Sequence, residues 1–184
     1  MIRKIAVVAV LMVLGACQTT QAPKDDKYAD LRVVATLVNN VCLSNVGDGV
    51  GMLAAARRVS GGKLLVNEID LGNGKIGTAK GYRYIKDGKY YALISVVDDG
   101  DICGVIASAH LVDRDDLADV LAVAMLDGEY SEVRYGVYGH NKGVASFSLS
   151  MGGGDPMTIF ALMNQDAYEH ERAMTGAPEM EWGG

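Results

Sequence analysis

Residues 82–111 constrain the fold of this 184-residue chain more than any other stretch. The runs "YRYI" and "YYALISVV" flank Lys86-Asp87-Gly88-Lys89. Asp-Gly between two β-rich runs is the strongest short-range hairpin signal, because a turn with positive φ at both central residues matches the twist of the flanking strands. "DDGD" at 98–101 then turns the chain into "ICGVIASAHL". A three-stranded antiparallel meander is expected, and its apolar face needs a cover.

Helices supply that cover. In "YADLRVVATLVNNVC", Leu31, Val34, Val38 and Val41 or Cys42 recur at steps of three and four, with Asp30, Arg32, Asn39 and Asn40 among them; this is the period of an amphipathic helix. Met52, Ala55, Ala56 and Val59 repeat it, with Asp48 as N-cap and Gly61-Gly62 as the stop. A third helix is expected in "VDRDDLADVLAVAMLDG": Asp113 caps it, Asp115 and Asp116 lie at the positive end of its dipole, and Leu117, Val120, Leu121 and Ala124 form its apolar face.

Elsewhere the pattern is mixed. "KLLVNEIDL" can be a strand and "GNGKIGTAKG" reads as a loop. Later, "EVRYGVYG" and "ASFSLSM" return to the two-residue period, with Ala145, Phe147, Leu149 and Met151 facing one way and Ser146, Ser148 and Ser150 the other. Around 157–164, Asp155-Pro156 suits a helix start while Thr158-Ile159-Phe160 prefers a strand, and the strand is favoured. Residues 166–184 read as a polar tail holding at most a short helix. The expectation is an α+β fold, an antiparallel sheet with helices packed on one face in the order ααβββαβββ, forming a single domain over 28–165.

The N-terminus concerns address rather than fold. Arg3 and Lys4 precede the apolar run "IAVVAVLMVL", which is too short for a membrane-spanning helix of about 20 residues but suits the core of a signal peptide. The junction Leu14-Gly15-Ala16-Cys17 resembles the lipobox of bacterial lipoproteins. That resemblance implies removal of residues 1–16, diacylglyceryl transfer to the Cys17 thiol and acylation of the new amino end. Gln18, in place of the Asp that marks inner-membrane retention, points to the outer membrane, facing the periplasm. Residues 17–27 are polar and lack an apolar period, so they read as a flexible tether. The mature domain also resembles small envelope lipoproteins that pair a helix cysteine with a later strand cysteine, here within Asp101-Ile102-Cys103-Gly104-Val105.

With lipid on Cys17, Cys42 and Cys103 are the remaining cysteines, and an oxidising compartment favours a disulfide between them. Cys42 closes the stripe of the first helix; Cys103 falls on the strand face of Ile94, Val96 and Val105. Net charge is -6 overall and -8 without Arg3 and Lys4, which disfavours binding to nucleic acid.

No chemical motif stands out. Gly72-Asn73-Gly74-Lys75-Ile76-Gly77 matches G-x-G-x-x-G but leads into a strand rather than a helix. Asp98, Asp99 and Asp101 lack the spacing of a calcium loop. His110, His140 and His170 sit in unrelated contexts, no local spacing suits a metal, and no serine lies in a nucleophile elbow. Neither a catalytic residue nor a cofactor is assigned. Two classes of function follow. One is a non-catalytic envelope module that binds a protein or cell-wall partner through the outer sheet face and Tyr82, Tyr84, Tyr90, Tyr91, Tyr135 and Tyr138. The alternative is an envelope hydrolase of cell-wall or surface polymers, in which carboxylates from 98–101 meet a histidine in space.

Overall fold

The computed structural model describes residues 26–176 and 179, apart from 73, 128, 129, 135, 141 and 151–154. The leader, Cys17, most of the tether and Tyr135 therefore lie outside the described residues. Among the described residues no helix is long and apolar enough to cross a membrane.

The chain opens with helix α1, Asp26–Leu37, which runs on through a π turn, Val38–Cys42, and a 3-10 turn, Leu43–Asn45. Leu31, Val34, Val38, Val41 and Cys42 are all buried, as the period predicts. Helix α2, Gly49–Ser60, starts where the Asp48 carboxylate accepts the Gly51 N–H at 2.8 Å and stops at left-handed Gly61.

Four strands follow: β1 Leu65–Asp70, β2 Ile76–Lys86, β3 Lys89–Val97 and β4 Ile102–Ser108. Asp87 and Gly88 both have positive φ, 51° and 75°, as the β2–β3 hairpin demands. Strand β2 begins earlier than the sequence suggests: Ile76–Gly81, read as part of a loop, pairs along the whole of β1. Its small side chains carry little strand signal, and the pairing partner supplies what propensity does not.

Helix α3, Arg114–Asp127, crosses to the far edge. The Asp113 carboxylate accepts the N–H groups of Asp115 and Asp116 at 2.8 and 3.3 Å. Its buried stripe is Leu117, Ala118, Leu121 and Met125, while Val120 is 45% exposed. Of the expected 117/120/121/124 face Leu117 and Leu121 are buried, Val120 turns outward with Ala118 and Met125 buried instead, and the Ala124 side chain lies outside those described.

The second group is β5 Ser131–Arg134, β6 Val137–His140, β7 Gly143–Ser150 and β8 Met157–Met163, followed by α4 Gln165–Thr175. The favoured strand at 157–164 is β8. The helix alternative for the start of the C-terminal segment is realised in α4, which extends the folded domain past residue 165. All neighbouring strands pair antiparallel, in the order β1-β2-β3-β4-β8-β7-β6-β5. Two four-stranded meanders therefore meet at β4 and β8, and the sheet has eight strands among the described residues.

Alternation fixes the layers. Ile94, Val96, Cys103, Val105, Phe160 and Leu162 face the core under α1, α2 and α3. This is the expected α+β layer. The cysteines meet there: Cys42 and Cys103 form a disulfide with Cα atoms 5.7 Å apart. Helix α4 adds to the expected layout by covering part of the other face, where Ala167 and Tyr168 pack with Val137, Val144 and Met163. A cluster of apolar residues at the β4–β8 end of that face gives it something to bury.

Candidate functional site

Of the six tyrosines named from the sequence, Tyr135 lies outside the described residues and the other five do not share one surface. Tyr82 and Tyr138 are buried in the helix-facing core, so their rings pack rather than bind. Burial raises the Tyr138 hydroxyl above its ordinary pKa, helped by the negative charges of Glu132 and Asp119. Tyr90 points the other way, is 40% exposed, and is raised by partial burial against the opposing pull of Arg83. Tyr84 and Tyr91 remain together, with ring centroids 6.0 Å apart in an edge-to-face pair.

The β2–β3 hairpin brings that pair together through a β-bulge at Tyr84/Ile85. The extra residue swings Tyr91 onto the helix side, where it packs at the edge of the core. Lys89 places its ammonium 5.2 Å above the Tyr91 ring and pairs with the Asp30 carboxylate of α1 at 2.6 Å. Asp30 is almost fully buried. This ion pair joins hairpin to helix and fixes the width of the space between them.

That space is a groove of about 630 Å³. Tyr84 and Tyr91 wall one side, and Val33, Thr36, Leu37 and Asn40 the other; exposed Arg32, Lys86 and Asp87 sit at its rim. Flat aromatic walls with polar edges and two cations suit a ligand with ring faces and negative charge.

A second space lies on the opposite sheet face, between α4, the 71–75 loop and the β3–β4 turn. It measures about 310 Å³ and is mainly apolar, but Asp98, Asp101, His170 and Glu171 also line it. Asp98 and Asp101 of the acidic turn are held in the frame, while Asp99 is exposed. Asp98 accepts the Thr78 N–H at 2.7 Å, Asp99 pairs with Lys80 at 2.7 Å, and Asp101 accepts from the Asn164 amide at 2.7 Å. His170 Nε2 lies 3.1 Å from the Leu71 carbonyl oxygen. Sequence reasoning missed this cleft because its walls come from three segments far apart in the chain. The one available signal was the acidic turn itself.

The other histidines stand elsewhere. His110 is exposed in the turn after β4, and His140 ends β6 with its ring 4.7 Å from that of Tyr130. Among the described residues no group of three or more His, Cys, Asp or Glu side chains could hold a metal ion. The alternating serines of β7 lie on or near the surface, but Leu149, expected to face inward, is 47% exposed. It lies near the end of β7, away from the buried Ala145 and Phe147. Met151 lies outside the described residues.

No protein-family model, no curated protein and no solved structure matches the chain.

Proposed function

We propose that the protein is a lipid-anchored cell-envelope module, fastened through Cys17 to the periplasmic face of the outer membrane, which binds cell-wall glycan in the groove between α1 and the β2–β3 hairpin. The observation that carries this reading is the groove's composition: an edge-to-face tyrosine pair below a rim bearing Arg32 and Lys86. Tyrosine faces stack on sugar rings, and on the rim Arg32 and Lys86 outnumber Asp87, which favours carboxylate-bearing polymers. Helix α1 takes in residues 26 and 27, so the tether is residues 17–25, which reach at most about 32 Å when extended. The groove opens beside the first turns of α1, so it works close to the bilayer.

One observation favours the hydrolase reading: Asp98, Asp101 and His170 line a single cleft. The binding reading is preferred because the tyrosine groove, at about 630 Å³ against about 310 Å³, has room for a polymer segment. In the cleft one oxygen of Asp98, one of Asp101 and Nε2 of His170 hold the frame, and their other atoms remain for a ligand.

A photocrosslinking residue replacing Thr36 tests the groove in intact envelopes. Cell-wall glycan is the expected adduct, with only background from the same residue at exposed Glu132. Capture of a protein instead would assign the groove to an envelope-protein partner. Equal yields from the two positions would contradict a groove site.

A further inference from the structure

We propose that the cleft under α4 is a second binding site, selective for a small organic cation with an apolar body, such as an arylalkyl amine. This inference is independent of the tyrosine groove, which lies on the other side of the sheet.

The cleft has the size and lining of a ligand site. About 310 Å³ is at the lower end of small-molecule pockets. Leu71, Val97, Ile102, Ala167 and Met174 supply apolar surface from a loop, two strands and a helix. Its walls are closely fitted. A Cβ at Gly72 would lie 2.4 Å from Met174 Sδ, and one at Gly77 would lie 2.8 Å from both Asp98 Oδ2 and Leu71 Cδ1. With glycine at both positions the Met174, Leu71 and Asp98 side-chain ends lie against the backbone, and a larger residue would have to displace them. Leu71 is drawn in further by the hydrogen bond between its carbonyl and His170.

Charge selects the ligand class. Among the described residues that line the cleft, Asp98, Asp101 and Glu171 are the carboxylates, Glu171 being engaged in a further interaction as well, and Lys75 is the one lysine or arginine. Asp98 and Asp101 are rigidly held, each through one oxygen: Asp98 by the Thr78 N–H, and Asp101 by Asn164, whose own side-chain oxygen caps α4 at the Ala167 N–H, 2.9 Å away. Fixed carboxylates at the edge of an apolar pocket attract an ammonium or guanidinium on an apolar body and repel anionic amphiphiles. They do not converge as metal ligands among the described residues. A hydrophobic cation satisfies both halves of the lining; a fatty acid satisfies only one.

Three probes of similar size separate the contributions: 2-phenylethylamine, 2-phenylethanol and phenylacetate, titrated by NMR into the mature chain 17–184 carrying Cys17→Ser. The amine should bind saturably, shift amide signals at Ile102, Ala167 and Met174, and exceed phenylacetate at least tenfold in affinity. Glu171→Lys should weaken the amine about tenfold and narrow its advantage over phenylacetate; if that variant does not fold, Glu171→Gln should show a smaller loss in the same direction. Equal affinity for the three probes, no saturable amine binding, or shifts confined to the Tyr84–Tyr91 groove would overturn the inference. Because the readout is local, these outcomes do not touch the glycan-binding proposal.

Discussion

A Cβ at Gly49 would lie 1.6 Å from the Asp99 carbonyl oxygen, and one at Gly100 would lie 2.5 Å from the Gly49 Cα. The first turn of α2 thus presses backbone to backbone against the β3–β4 turn. A glycine early in a helix weakens it by propensity alone, but here it permits a contact that no other residue allows. Gly49→Ala should therefore destabilise the domain by about 3 kcal/mol, the upper range for overpacking, although Ala is the better helix former. Urea denaturation measures it, and a change below about 0.5 kcal/mol would show that the contact yields freely. Tyr130 provides a second test at this scale. Its hydroxyl is buried without a hydrogen-bond partner among the described residues, and burial pushes its pKa up to about 12. In the unfolded chain it ionises near pH 10. The folded state holds the proton longer, so stability is full below pH 10 and declines as pH rises from 10 through 12. Tyr130→Phe should flatten that decline and leave stability at pH 7 unchanged or slightly higher, since an unsatisfied polar atom is removed.

Among the elements, the disulfide joins the end of the first helix to a central strand. Closing the 61-residue separation stabilises the fold by about 4 kcal/mol in the chain-entropy model. Thiol labelling of the denatured, unreduced mature protein should find no free cysteine, and reduction should lower Tm. Quantitative labelling before reduction would contradict the bond. The Lys89–Asp30 pair has the corresponding role at the groove: Lys89→Met should cost about 1–3 kcal/mol, because it leaves a buried carboxylate without its charged partner, and should loosen the hairpin from α1. Elements with a strong local signal were legible in the sequence. The stripe Leu31, Val34, Val38, Val41, Cys42, the caps Asp48 and Asp113, and the Asp87-Gly88 turn all depend on residues within a few positions of one another. The first half of β2, the outward turn of Val120 on α3 and the docking of α4 were not, because each is settled by a partner distant in sequence. Gly77 and Thr78 form a strand because β1 pairs with them, and Ala79 because β1 and β3 flank it.

At the scale of the whole molecule, two four-stranded meanders join at β4 and β8, with helices on both faces. The α+β class follows from local patterns, but the strand order does not: α3 carries the chain to the far edge, and β8 returns to the centre. The sites show the same division. Tyr84 and Tyr91 are visible in the sequence as aromatic residues, yet the bulge that puts Tyr91 rather than Tyr90 on the side of Tyr84 arises only from pairing. In the proposed lipoprotein reading the address is carried by residues 1–18. Cys17→Ser should abolish incorporation of labelled fatty acid and release the protein from membrane fractions, whereas a variant still labelled and membrane-bound would contradict the anchor.

The central claim, recognition of cell-wall glycan by the cationic tyrosine groove, is tested most directly by cosedimentation of the mature protein with purified insoluble cell wall, for the Cys17→Ser chain with and without Arg32→Glu and Lys86→Glu. Both cations are exposed, so the fold should tolerate their reversal, and an unchanged Tm verifies this. The parent chain should bind saturably and more weakly as salt rises, and the double reversal should weaken binding at least tenfold. Equal binding by the two proteins, or none by the parent, would contradict the account.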